Sequence, residues 1–157
     1  MITGQGTVGL EIIAQLNAMG VAPDAILCCC GGGGLIAGLS IAIRAKFPKT
    51  KIWAAEPEFY DDTKKSLASG KIERADTNKS SICDAIITPE PGKLTFAINI
   101  KNLSGCAVVC DEIVLKTIAT VFKHLKVVVE PAGAVAIAGV LTGQVPFGTN
   151  IAVAVAS

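Results

Sequence analysis

The run Cys30-Gly31-Gly32-Gly33-Gly34-Leu35 constrains the fold of this chain more than any other stretch. Before it, Ala25-Ile26-Leu27-Cys28-Cys29-Cys30 is an unbroken apolar run of strand length, the pattern of a strand buried on both faces. After it, Leu35 to Phe47 is small and aliphatic at helical length and stops at Pro48. A strand that enters four glycines and leaves as a helix makes an anion cradle. Backbone N–H groups without side chains around them can close on an oxyanion, and the helix N-terminus adds partial positive charge. Phosphate is the anion most in keeping with this arrangement. The alternative, a flexible glycine linker, is a poor fit between a buried strand and an apolar helix. The two best-known phosphate loops are excluded by spacing: there is no GxxxxGK(S/T), and GxGxxG is met only if its last position is ignored.

At 157 residues the chain is long enough for one domain with a real core. Apolar residues make up 51% and charged residues 17%, which predicts heavy burial. The net charge of +1 and the lack of a Lys/Arg stripe interleaved with aromatics disfavour nucleic-acid binding. No apolar run has the length of a membrane span, and Met1 is not followed by a charged segment and signal core. Of the 6 cysteines, three are adjacent in the apolar strand, where neighbouring side chains point to opposite faces and cannot pair. Cys83, Cys106 and Cys110 lack CxxC spacing, which argues against zinc. Reduced, buried thiols in a cytoplasmic protein are the expectation.

Along the chain, helices and strands alternate. Thr7 is read as the N-cap of a helix running to Met19 and closed by Gly20. The strand Ala25–Cys30, the helix Leu35–Phe47 and a strand Lys51–Ala55 complete a βαβ unit, expected to be parallel and right-handed. Glu56 to Asp62 reads as an acidic loop, Asp62 to Ser69 as a short helix ending at Gly70, and Lys71 to Gly92 as turn-rich. Leu94 to Leu103 is read as helix and Ala107–Cys110 as a short strand. Asp111 then caps an amphipathic helix whose Val114, Ile118, Val121, Phe122 and Leu125 form one face. Its His124 reads as a surface histidine complementing the helix dipole. Gly133 to Thr142 is a small-residue helix, and Ile151 to Ala156 a last buried strand.

The ends differ from those expected of a complete domain. The chain opens almost directly on a helix and stops at Ser157, where a buried parallel strand should hand over to a loop. In open parallel sheets ligands sit beyond the carboxyl ends of the strands. Gly31–Gly34, Glu56 and Ser157 each follow one such end, so three strand ends are expected to converge on one edge.

Four motifs in order, Gly4-Gln5-Gly6-Thr7, the tetraglycine, Ala54-Ala55-Glu56-Pro57 and Glu130-Pro131-Ala132-Gly133-Ala134, carry a resemblance. Together they resemble the serine/threonine dehydratase family, which includes serine racemases and 3-hydroxyaspartate ammonia-lyases. These are pyridoxal-phosphate (PLP) enzymes of the tryptophan-synthase β-subunit type, fold type II. The resemblance spans the chain but corresponds only to the C-terminal half or so of a family member.

What the resemblance implies can be stated residue by residue. Gly31, Gly32, Gly33 and Gly34 match the loop that holds the cofactor phosphate. Ser157 matches a serine whose hydroxyl bonds the pyridine nitrogen, although the Gly-Gly-Asn that follows it in the family is not present here. A neutral serine moderates the electron sink, which suits elimination of a β-substituent. Glu130 matches a glutamate lining the cofactor pocket; its alternative is a surface cap before Pro131. Glu56, the Tyr60 carbonyl and Asp62 match the divalent-cation site of metal-activated members, and two carboxylates with a carbonyl suit Mg²⁺ or Ca²⁺. The alternative there is a solvated helix N-terminus, with Asp61 and Asp62 favouring the dipole.

No S-x-K-x-R-G segment occurs, so the catalytic lysine of the family has no counterpart, and no catalytic residue is assigned. The expectation is an α/β fold, a mostly parallel sheet flanked by helices. Residues 1–157 then form part of the large PLP-binding domain without its N-terminal, lysine-bearing part. For the full-length parent the implied reaction converts threonine, serine or 3-hydroxyaspartate to a 2-keto acid and ammonia, in a homo-oligomer, commonly a dimer. The chain alone is expected to be inactive. An amino-acid racemase on the same scaffold and a non-catalytic truncated chain are the alternatives.

Overall fold

β1 (Ala25–Cys29) is buried along its whole length, and its side chains divide between two cores. Ala25, Leu27 and Cys29 enter one; Ile26 and Cys28, with Cys30 just beyond the strand, enter the other. A strand covered on both faces needs apolar residues at consecutive positions, which accounts for the unbroken run. The computed structural model describes residues 1–146 and 152–155. Within it β1 pairs in parallel with β2 (Lys51–Pro57) and β4 (Ala152–Val155), and β2 with β3 (Gly105–Val109), giving the order β3-β2-β1-β4.

Helices cover both faces. α1 (Ile2–Ala18), α2 (Gly34–Lys46), α3 (Asp62–Ser69) and α4 (Lys93–Asn102) lie toward one face, where Ile36, Leu39 and Ile43 pack on Ile26, Ile52 and Ala54. α5 (Asp111–Leu125) and α6 (Pro131–Leu141) cover the other. The α6 residues Ala132, Ala134, Ala136 and Ala138 are buried, and a Cβ at its Gly139 would lie 3.1 Å from Ala107 Cβ. Small residues let this helix lie directly on the sheet. The expected α/β architecture is thus observed. Among the described residues no helix is long and apolar enough to cross a membrane.

The chain proceeds β1, β2, β3 in one direction and then returns to place β4 on the opposite side of β1. That reversal makes a topological switch point beyond the carboxyl end of β1, the crevice where open parallel sheets bind ligands. The tetraglycine stands there.

Several local readings change. α1 begins at Ile2, not after Thr7; the Thr7 hydroxyl lies inside the helix and donates back to Gly4 O at 2.7 Å. The tertiary contact with α2 overrides the capping signal. Glu56 belongs to β2 rather than to a loop, because the strand continues to Pro57 by pairing Glu56 with Val108 and Pro57 with Val109. Cys110, not Asp111, is the N-cap of α5; the Asp111 carboxylate instead accepts from Ser81 Oγ (2.7 Å) and Ile82 N (3.0 Å). Along α5, Val114 and Val121 are buried, whereas Phe122 and Leu125 are 59% and 65% exposed. That helix packs chiefly on α6, which leaves Phe122 and Leu125 uncovered. The outer residues of the strand expected over Ile151–Ala156, and Ser157, lie outside the described residues.

Candidate active site

Gly33 is the residue on which the glycine loop turns. Its φ of 81° lies in the left-handed region, where a side chain is strained, and it serves as the N-cap of α2. The first helical bond of α2 runs from Ala37 N to Gly33 O at 3.0 Å. Among the described residues no acceptor takes the N–H groups of Gly31, Gly32, Gly33, Gly34, Leu35 or Ile36. Six consecutive free donors at a helix N-terminus suit a multiply charged oxyanion. A Cβ built on Gly32 would meet nothing within 4 Å, so space stands open above this part of the loop.

That space is a cavity of about 410 Å³ bounded by the tetraglycine, Cys29, Cys30, Ile86, Thr88, Gly92 and Thr95. The Thr88 hydroxyl is buried without a partner among the described residues. A larger hollow of about 530 Å³ lies between Ala22–Asp24 and Lys46–Lys51. It sits at the amino ends of β1 and β2 and the C-terminal end of α2, where the helix dipole repels anions.

Sequence reasoning missed the support of the loop. Thr95 Oγ1 donates to Gly32 O at 2.6 Å, Gly92 N reaches the same oxygen at 3.2 Å, and Asn99 Nδ2 lies 3.4 Å from Gly33 O. Thr95 and Asn99 are four apart on α4, one helix face, but nothing in their spacing says what that face meets.

The carboxylates lie beyond the neighbouring strand end. Glu56 is fully buried; its Oε1 accepts from Thr63 N (2.9 Å), and its Oε2 from Lys64 N (3.1 Å) and Cys106 Sγ (3.2 Å). Those two N–H groups belong to the first turn of α3, so a strand residue satisfies the donors of the next helix. Burial pushes the Glu56 carboxyl up, and these hydrogen bonds oppose the shift. Asp62 is 1% exposed, and among the described residues its Oδ2 has no hydrogen-bond partner. Burial, and then the neighbouring Glu56, raise its carboxyl from 3.8 to about 7. A solvated helix N-terminus is thereby overturned for Asp62, while Asp61 does face solvent in part and pairs with Lys65 at 2.7 Å. No described donor reaches the Tyr60 carbonyl, and the Tyr60 hydroxyl donates to Lys79 O at 2.9 Å. Among the described residues no group of three or more His, Cys, Asp or Glu is arranged to hold a metal ion by itself. An ion here would have two carboxylates and a carbonyl, with water for the rest. The orphaned Asp62 oxygen fits such an ion.

Glu130 is the N-cap of α6, exposed, with no capping bond from its side chain, and it is not among the residues lining the glycine cavity. Ser157 lies outside the described residues. Cys28, Cys29 and Cys30 are not in disulfides, and burial with the nearby Glu56 pushes the Cys30 thiol up.

The family profile described as "Pyridoxal-phosphate dependent enzyme" matches residues 1–157. The chain belongs to that family. Serine racemase of Dictyostelium discoideum is 36% identical over 142 residues, 90% of this chain and 42% of that protein. L-threonine ammonia-lyase of Thermotoga maritima is 35% identical over 155 residues, 99% and 37% respectively. L-threo-3-hydroxyaspartate ammonia-lyase of Saccharomyces cerevisiae is 36% identical over 141 residues, 90% and 42%. The chain therefore spans about two fifths of the length of these curated relatives. Among solved structures, a T.th. threonine deaminase superposes with a TM-score of 0.92 at 39% identity, covering 99% of this chain and 56% of that one. Maize serine racemase gives 0.84 at 35% identity, covering 91% and 43%. The fold is that of fold-type II PLP enzymes. For this PLP-family chain the donor set is apt: the phosphate of the cofactor is an oxyanion, and the tetraglycine offers backbone donors with no side chain in the way.

Proposed function

We propose that residues 1–157 form the phosphate-holding part of the large domain of a PLP-dependent lyase. Its substrate would be a small hydroxy amino acid (threonine, serine or 3-hydroxyaspartate) and its products a 2-keto acid and ammonia. The observation that carries this reading is the run of six N–H groups, Gly31 to Ile36, that meet no acceptor among the described residues, at the switch point of the sheet. When bound, PLP supplies the electron sink that makes loss of the α-proton feasible. The chain's own contribution is to hold and orient. Gly31, Gly32, Gly33 and Gly34 would grip the phosphate. Ser157 would bond the ring nitrogen and Glu130 would line the pocket; both assignments rest on motif register. Cys29, Cys30 and Ile86 give the cavity a largely apolar wall that limits water.

Glu56, Tyr60 O and Asp62 would hold Mg²⁺ or Ca²⁺ beside this edge, an ion that stabilises the fold and so acts on activity indirectly. A homo-oligomer, a dimer in the first instance, and a cytoplasmic location complete the proposal; six cysteines outside any disulfide suit a reducing compartment. Racemisation is the second reading, supported by a serine racemase at 36% identity, as close as the ammonia-lyases.

No lysine lines the glycine cavity among the described residues, so the chain alone is expected to be inactive. Fused behind the lysine-bearing part of the Thermotoga maritima relative, it is expected to release ammonia and keto acid from a hydroxy amino acid. A fusion that folds and retains PLP but releases neither product overturns the lyase reading; one that only interconverts enantiomers selects the racemase.

A further inference from the structure

We propose that α4 sets the shape of the phosphate cradle, with Thr95 and Asn99 as positioning residues; the inference rests on the reading that the tetraglycine holds phosphate. A trans peptide fixes the C=O of one residue antiparallel to the N–H of the next. Whatever anchors the Gly32 carbonyl therefore aims the Gly33 N–H the opposite way. That carbonyl is held from α4 and the turn before it: Thr95 Oγ1 at 2.6 Å and Gly92 N at 3.2 Å. The Gly33 carbonyl accepts Ala37 N at 3.0 Å and has Asn99 Nδ2 at 3.4 Å, which orients the Gly34 N–H in the same manner. Two of the six free donors are thus directed by side chains of another helix.

α4 is itself braced. At its far end Asn102 Nδ2 donates to Ser40 Oγ of α2 (3.0 Å), and Arg44 Nη2 donates to Asn102 O (2.7 Å). The helix spans the loop at one end and the body of α2 at the other. Asn99 is 1% exposed, and a Cβ on Gly33 would fall 2.7 Å from its Nδ2, so the amide also closes the space behind the left-handed turn. Four flexible glycines gain a single conformation from this strut, which lowers the entropy lost when the anion binds.

The test is binding of inorganic phosphate and of PLP to the folded chain, read by titration, with the Gly33 and Gly34 amide resonances as a local probe. Thr95→Val keeps the shape and removes the donor; both affinities are expected to fall about tenfold, and the phosphate-induced shift of the Gly33 amide to shrink. Thr95→Ser restores the donor and is expected to recover both. A merely structural role would lower the melting temperature without this rescue pattern in affinity. Phosphate and PLP affinities for Thr95→Val equal to those of the unaltered chain overturn the proposal while leaving the glycine-loop reading standing. An unaltered chain that binds neither anion overturns both. Where Thr95→Val does not fold, Asn99→Asp sets an oxygen opposite Gly33 O at equal volume; undiminished phosphate affinity in that variant overturns the proposal equally.

Discussion

Asp62 combines near-complete burial with an unpartnered carboxylate oxygen, and its chemistry follows from that pairing. Its carboxyl, raised from 3.8 to about 7, holds a proton more tightly in the folded chain than in the unfolded one. The stability linked to that proton is full below about pH 4 and is lost as pH rises through about 7. The metal-free chain is therefore expected to lose melting temperature between those limits. Asp62→Asn should flatten the slope, leaving the part due to Glu56, whose carboxyl is raised in the same direction. At pH 7.5 the proposed cation would take the place of the proton. Mg²⁺ or Ca²⁺ at a hundredfold excess over its dissociation constant is expected to raise the melting temperature by about 5–10 °C, and Asp62→Asn should abolish the rise. A titration with no metal-dependent shift would remove the cation site from the proposal. The sequence exposed these carboxylates as a pattern but not their setting. An acidic residue after a strand reads as a loop; Glu56 stays in the strand because Thr63 N, Lys64 N and Cys106 Sγ satisfy it.

Elements were legible where local rules decide them and shifted where packing does. β1 and α2 were read to within a residue, because an apolar run, a left-handed glycine and a terminal proline are each local signals. The start of α1 was not, because its first turn is stabilised from outside. α1 crosses α2 at Gly38, where an added Cβ would run into Ile2 O and come within 2.6 Å of Gly6 N. Gly38→Ala is accordingly expected to force the helices apart and lose about 1–3 kcal/mol. Gly4→Ala, with nothing within 4 Å of the new methyl, should instead gain up to about 1 kcal/mol from helix propensity. Urea unfolding of the pair checks this; equal midpoints would show that the crossing yields without strain.

At the scale of the whole molecule, α5 and the segment after it leave Leu115, Phe122, Leu125 and Val128 exposed, at 57% to 84%. An apolar stretch of that kind favours association. The chain alone is expected to self-associate, and Phe122→Lys with Leu125→Glu to weaken that association about tenfold; sedimentation velocity over a concentration series reads both. A monodisperse monomer at high concentration would count against it. The sequence by itself determined β1 with its two-sided burial, α2 and the tetraglycine between them, because neighbours along the chain impose those constraints. Only the tertiary structure decided that Thr95 and Asn99, 63 and 66 residues beyond Gly32 and Gly33, shape the loop. It also decided that the order of strands reverses beside β1, which sets the glycine cradle in the crevice. The physical reason is that hydrogen bonds between distant segments and the order of strands arise from packing two cores against one sheet, and no single stretch of sequence encodes them.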